Sequence, residues 1–192
     1  MNEVIRAIET RRSVRKFTGA MIPRSELETI LHAGSYAPNG MGSQEWRFTA
    51  VQDDMTLQRI NESIRLALLT IPVIAETHPY VVSLIEKAEN EQANFNYGAS
   101  TYVIVSHQKD NGNAMPDSAL ALGYMMLAAH SMGIGSCWLN LLPGMAGLPI
   151  IRNLMTELGL PENHTVYASA VFGYAAKEPE AAEPRKDVVR IL

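Results

Sequence analysis

The chain has 192 residues, 47% of them hydrophobic and 19% charged, enough apolar mass for one packed domain and too little charge for a disordered chain. Its net charge of −4, with no long basic block, argues against nucleic-acid binding, which draws on clustered cations. A single cysteine, Cys137, excludes an intrachain disulfide and a cysteine zinc site and fits a reducing, cytoplasmic compartment, while the start of the chain lacks a signal-peptide pattern and the most apolar stretch, 118–132, is too short to span a bilayer.

Residues 3–11 read as a helix with Val4, Ile5 and Ile8 on one stripe, and 12–17 as a loop or short extended segment. Ser25 and Glu28 have capping-box spacing behind Pro23, opening a helix to Ser35. The run 37–42, Ala-Pro-Asn-Gly-Met-Gly, is a turn. Residues 46–51 alternate as a strand does, and Asp53-Asp54 open a helix toward Leu69. The segment 72–96 is broken by Pro72 and Pro79, with a helix possible over 80–92. Residues 102–106 form a β-branched run of the buried-strand type.

Asp117 is placed to cap a helix over 118–132, stopped by Gly133. That helix has almost no polar face, so burial on nearly all sides is expected, part of it at a subunit interface. Strands follow at 137–142 and 165–172, with a helix at 150–158 between them, and the last twenty residues read as an irregular arm. Helices and strands alternate without regular βαβ units, which favours the α+β class.

Two segments carry chemical information. In Arg11-Arg12-Ser13-Val14-Arg15-Lys16-Phe17, four of the sixteen basic residues fall within six positions. A solvated helix end would account for them, since cations suit the negative end of the helix dipole. Arginine forks flanking a serine also suit a phosphate, at about 1.5–3 kcal/mol per charge-assisted bond. The second segment, Ala37 to Phe48, combines small residues with Asn39, Ser43, Gln44 and Trp46. It can be an ordinary helix-to-strand loop anchored by Trp46, or a loop whose glycines let a planar ring approach the main chain.

Together these segments resemble the nitroreductase family of flavoproteins, which pairs an Arg-x-Ser-x-Arg-x-Phe stretch after its first helix with a later Pro-Ser-Ser-x-Asn-x-Gln-Pro-Trp-x-Phe loop. Weaker likenesses lie at Tyr97-Gly98-Ala99-Ser100, at 128–138, and at Phe172-Gly173-Tyr174 with Arg185-Lys186. The resemblance implies one domain over 1–192, with 72–96 as a variable segment covering the substrate and 174–192 as a C-terminal arm. It implies a three-layer α+β fold, a mixed, mostly antiparallel sheet flanked by helices, in an interlocked homodimer with FMN at the subunit interface.

Carried over residue by residue, it implies that Arg11, Arg12 and Ser13 hold the FMN phosphate and ribityl chain and that Arg15 lies at the pyrimidine edge. Pro38, Asn39 and Gly40 would reach the same flavin from the other subunit, Gly135 and Ser136 would line the far side of the ring, and Arg185 or Lys186 would return to the phosphate. Asn94 and Asn96 are both candidates for a further flavin contact. Two positions depart from the pattern: Gly42 stands where the family has Asn, and Glu45 where it has Pro.

The activity implied is ping-pong reduction of electron-poor acceptors, nitroaromatics or quinones, with NADH or NADPH as donor. No side chain is needed as nucleophile or general acid; Arg15 tunes the flavin. The alternative is a specialised or non-catalytic flavin protein of the same fold, such as a dehalogenase or enone reductase, with His78, Tyr80 and Phe95 as possible pocket residues. The five histidines lack metal-ligand spacing, Gly133-Ile134-Gly135 follows a helix and lacks the third glycine of a dinucleotide loop, and Cys137 reads as an inert core thiol.

Overall fold

The computed structural model describes residues 2–177, 179–180, 184 and 188–191. In chain order the elements are α1 (Glu3–Thr10), α2 (Arg24–Ser35), β1 (Arg47–Val51), α3 (Asp54–Leu69), α4 (Pro79–Ala88), β2 (Thr101–Gln108), α5 (Ala114–Ser131), β3 (Gly135–Trp138), α6 (Leu141–Met145), α7 (Pro149–Glu157) and β4 (His164–Gly173), with a 3-10 turn at Gly40–Gly42. The sheet runs β1-β2-β4-β3, and its three ladders are antiparallel.

β2 is buried along nearly its whole length, because helices cover both faces of the sheet. Its side chains alternate: Tyr102 and Ile104 join Ile60, Ile64, Leu142 and Leu154 on the side of α3, α6 and α7. Val103 and Val105 join Ile30, Ala121, Leu122 and Met125 on the side of α2 and α5. This is the expected three-layer α+β arrangement. A register shift between Val105 and Ser106 reverses the parity of β4, so Val166 faces the first cluster whereas Ala168, Ala170 and Phe172 face the second. α2 crosses α5 at Gly34, where an added Cβ would lie 2.8 Å from Met125 Cγ and 3.2 Å from the Ala121 carbonyl.

Three local expectations are corrected. α2 has Pro23 at its N-cap and no side-chain cap; the Pro23 carbonyl accepts the first helical bond from Leu27 N–H and also takes Glu26 N–H, while Glu28 pairs with Arg24 at 2.7 Å. α5 begins at Ala114, one turn early, and Asp117 lies inside its first turn with its carboxylate directed elsewhere. The strand expected over 137–142 is only Gly135–Trp138, since Pro143 lies in the first turn of α6. α5 also keeps an open side in the protomer, with Leu120 and Tyr124 each 42% exposed. α1 is more extreme: none of its residues is buried, and Val4, Ile5 and Ile8 all face outward.

Candidate active site

β3 is an edge strand, and the segment after α1 is laid along its free side. Arg11 N–H closes the helix on the Ala7 carbonyl, after which the chain extends and Val14 N–H donates to the Ser136 carbonyl at 2.9 Å. Ser13 and Ser136 form an isolated parallel bridge. Gly135 permits this approach: a Cβ there would stand 2.7 Å from Val14 Cγ2 and 3.1 Å from Val14 Cβ. Farther on, Phe17 N–H donates to the Tyr97 carbonyl, Thr18 N–H to Tyr174 and Ala176 N–H to Lys16. The basic segment is thereby fixed between β3, the turn before β2 and the exit of β4.

Arg11 and Arg12 border a cleft of about 150 Å³ whose lining includes Gly133, Gly135 and Ser136. No carboxylate among the described residues lines it. Arg11 Nη1 and the Ser136 hydroxyl are buried there without a hydrogen-bond partner, and Ser136 is only 2% exposed. Such groups cost about 1–3 kcal/mol each when left unsatisfied, which suits a site built for an acceptor-rich anion. Arg12 divides its fork: Nη1 donates to the Glu9 and Arg11 carbonyls at 2.7 and 2.8 Å, so it also closes the C-terminus of α1.

A second cavity, of about 320 Å³, is walled by Arg15, by α4, by the 95–97 turn and by 137–141; its Cys137 directly follows the cleft's Ser136 in β3. Its lining is aromatic and aliphatic, with Tyr80, Phe95, Tyr97, Trp138 and Leu84. Burial, then the neighbouring Cys137 and Tyr80, push the Tyr97 phenol above its usual 10, against the opposing pull of the Arg15 cation and its hydrogen bond. Burial likewise raises the Cys137 thiol, opposed by Arg15, the Ser13 hydroxyl and Arg11. Both groups are therefore protonated at neutral pH. Cys137 is a buried free thiol, and it also lines the cavity.

Arg11, Arg12, Ser13, Arg15, Gly135 and Ser136 are thus brought together. Pro38, Asn39 and Gly40 are not: within the protomer they line neither space. Their loop sits on the N-terminal turn of α5, where Gly40 N–H meets the Asp117 carboxylate and Asn39 Oδ1 accepts from Gln44 N–H. Met41 and Gln44 take left-handed φ values of 57° and 49°, and Met41 is 98% exposed. Glu45, in place of the family's proline, accepts from Asn111 at 2.6 Å. Arg185 and Lys186 lie outside the described residues.

Asn94 and Asn96 face a separate polar cleft with Asn61 and Glu91, while the alternate residues Phe95 and Tyr97 face the aromatic cavity. Tyr80 and Phe95 line that cavity as expected of pocket residues, but His78 instead caps α4, accepting from Tyr80 N–H through Nδ1. Sequence reasoning missed Tyr97, Trp138 and Lys87; the period-two alternation of 94–97 was the signal available for the first. Among the described residues no cluster of His, Cys, Asp or Glu could hold a metal ion, and no helix is long and apolar enough to cross a membrane.

A model of the nitroreductase family matches residues 8–174. The chain belongs to the nitroreductase family. It is similar to a crystallised nitroreductase with bound FMN from Bacteroides fragilis NCTC 9343, at 36% identity and a TM-score of 0.91, with both chains covered in full. A nitroreductase with bound FMN from Desulfitobacterium hafniense DCB-2 is 25% identical, with a TM-score of 0.86, 100% of this chain covered and 99% of the other. A protein of Archaeoglobus fulgidus bearing the provisional name NADH dehydrogenase/NAD(P)H nitroreductase is 27% identical, over 95% of this chain and 91% of its own. As a nitroreductase-family chain, the protein places the family's arginine-rich segment against its edge strand.

Proposed function

We propose that the protein is an FMN-dependent NAD(P)H oxidoreductase that reduces electron-poor acceptors such as nitroaromatics or quinones by a ping-pong route. The observation that carries this reading is the docking of Val14 on Ser136, which sets two arginines, two serines and an aromatic cavity side by side. The residues fit the cofactor: the orphaned Arg11 Nη1 matches a phosphate, the orphaned Ser136 hydroxyl matches a polar edge of the flavin, and the second cavity is lined mainly by aromatic and aliphatic side chains. Bound FMN would supply the two-electron redox chemistry between nicotinamide and acceptor.

The chain's own part is to bind and orient. Arg11, Arg12 and Ser13 hold the phosphate end, with Arg185 or Lys186 returning to it from the arm. Arg15 sets a fixed cation at the pyrimidine edge, favouring negative charge there. Gly135 and Ser136 line the ring, Tyr97 and Trp138 exclude water from its surroundings, and α4 within the 72–96 segment closes the cavity over the acceptor.

The working unit in this proposal is a homodimer. An eight-residue helix is unstable unless its apolar face is covered, and the stripe Val4, Ile5, Ile8 finds no cover among the described residues of the protomer. The open side of α5 supplies more apolar surface, and a second chain would bring Pro38, Asn39 and Gly40 to the cofactor. The testing measurement is the visible spectrum of the purified protein under anaerobic conditions, before and after NADH or NADPH. Flavin bands that bleach support a reductase; bands that persist favour a binding role; a colourless protein that does not take up FMN overturns the reading. Arg11→Ala should lower bound flavin without unfolding the chain.

A further inference from the structure

We infer that Lys87 makes the aromatic cavity selective for planar acceptors carrying an anionic substituent, an arene carboxylate or sulfonate; this rests on the flavoreductase reading above. The charge of the cavity wall is one-sided. Arg15 and Lys87 line it and no carboxylate among the described residues does, although the chain as a whole is net negative and Glu86, Glu89 and Glu91 flank Lys87 in sequence. An acceptor with a negative group therefore meets attraction here that the average surface of the molecule does not offer.

Lys87 is also held in place. Its ammonium donates to the Asn94 carbonyl at 2.6 Å and lies 4.7 Å from the centre of the Phe95 ring, an aromatic residue only 3% exposed. Lys87 is an exposed residue, yet its ammonium is not left to water alone. It is pinned against the wall by a hydrogen bond and a cation–π contact, and an ammonium with three donors still has two to offer. Arg15 is assigned to the proposed flavin edge, which leaves Lys87 as the lining cation for the acceptor. Phe95, Tyr97, Tyr80 and Trp138 give the flat walls that an arene needs.

The same charge could serve a phosphate of the nicotinamide donor, and the test separates the two sources. Reduction of 4-nitrobenzoate and of 4-nitrobenzamide is measured with holoenzyme at saturating NADH, in wild type, Lys87→Gln and Lys87→Arg. The acid-to-amide ratio of kcat/KM is compared between variants, so that intrinsic reducibility cancels. The ratio should fall roughly five- to tenfold in Lys87→Gln, the size of a partly exposed charge-assisted contact, and be retained in Lys87→Arg. In parallel, 4-nitrobenzoate binding to oxidised holoenzyme, followed by perturbation of the flavin spectrum, should weaken by the same factor in Lys87→Gln.

A ratio unchanged in Lys87→Gln overturns the inference, as does a raised KM for NADH with the ratio intact, which assigns Lys87 to the donor. Holoenzyme that reduces neither compound yet binds the acid more tightly than the amide, with that difference lost in Lys87→Gln, sinks the reductase reading and keeps the anion site.

Discussion

The carboxylate of Asp117 accepts the Gly40 N–H with both oxygens, at 3.0 and 3.1 Å, and so ties the 39–44 loop to the first turn of α5. Asp117 is 3% exposed, and a fully buried His107 lies 3.9 Å from its Oδ2. Gly40 itself is packed against the side chain of Asn113, leaving no room for a Cβ. Asp117→Ala should cost about 1.5–3 kcal/mol, the size of a hydrogen bond to a charged group, and lower Tm by roughly 3–12 °C. Asp117→Asn, which keeps one acceptor, should cost less. Thermal unfolding of the two variants checks this; an unchanged Tm in Asp117→Ala would show the loop is held by other contacts.

Gly135→Ala tests the docking of the basic segment. The new Cβ would press on Val14 and lift it from Ser136, with an overpacking cost of about 1–3 kcal/mol. FMN affinity, read by fluorescence titration, should drop by about tenfold or more, the equivalent of about 1.4 kcal/mol of lost cradle geometry. Adding Val14→Ala should restore part of it, because the contact at 2.7 Å is to Val14 Cγ2.

His164 gives the fold a pH dependence. Burial first, then the Arg47 and His107 charges, hold its imidazole below the usual 6.5, against weaker opposing effects of Glu45 and Ser106. The folded state prefers neutral His164, so the unfolded chain takes up this proton first as pH falls. Its contribution is complete above 6.5 and declines as pH falls toward the depressed folded value. His164→Gln should flatten the loss of Tm between about pH 7 and 5, above the range where carboxylates titrate. A wild-type slope that survives in His164→Gln would assign the effect to another group.

Ile8→Asp addresses the outward stripe of α1, where Ile8 is 51% exposed in the protomer. If a second chain covers it, an uncompensated buried charge costs about 3–5 kcal/mol, met twice across a two-fold interface. Light scattering coupled to size exclusion should then show the mass falling from two chains toward one. An unchanged dimer mass would remove α1 from the interface.

Periodicity and turn chemistry made most elements legible. Asp53 caps α3 through Thr56 N–H at 2.8 Å, as an aspartate before an apolar-periodic run should. Asp117 has the same residue type and an equally plausible position, yet its carboxylate is taken by Gly40, a partner far along the chain that no local rule reveals. Ser25 and Glu28 fail as a capping box for a related reason: Glu28 is drawn to Arg24. Of the site, Arg11, Arg12 and Ser13 stood out by composition. Tyr97 and Trp138 did not, because they become neighbours of Arg15 only through tertiary packing. Two consecutive left-handed residues, Tyr97 at 57° and Gly98 at 74°, make the turn that leads from Tyr97 into β2.

α1 runs straight into Arg11, so whatever orders the helix also orders the residues that follow it. With its apolar stripe uncovered, such a short helix frays, and Arg11 and Arg12 lose the fixed start from which they reach toward Ser136. If the cover is another copy of this chain, cofactor retention obeys mass action in the protein itself. Dilution would then release FMN from an otherwise folded protomer, and the flavin content of a preparation would report its subunit concentration as much as its cofactor supply.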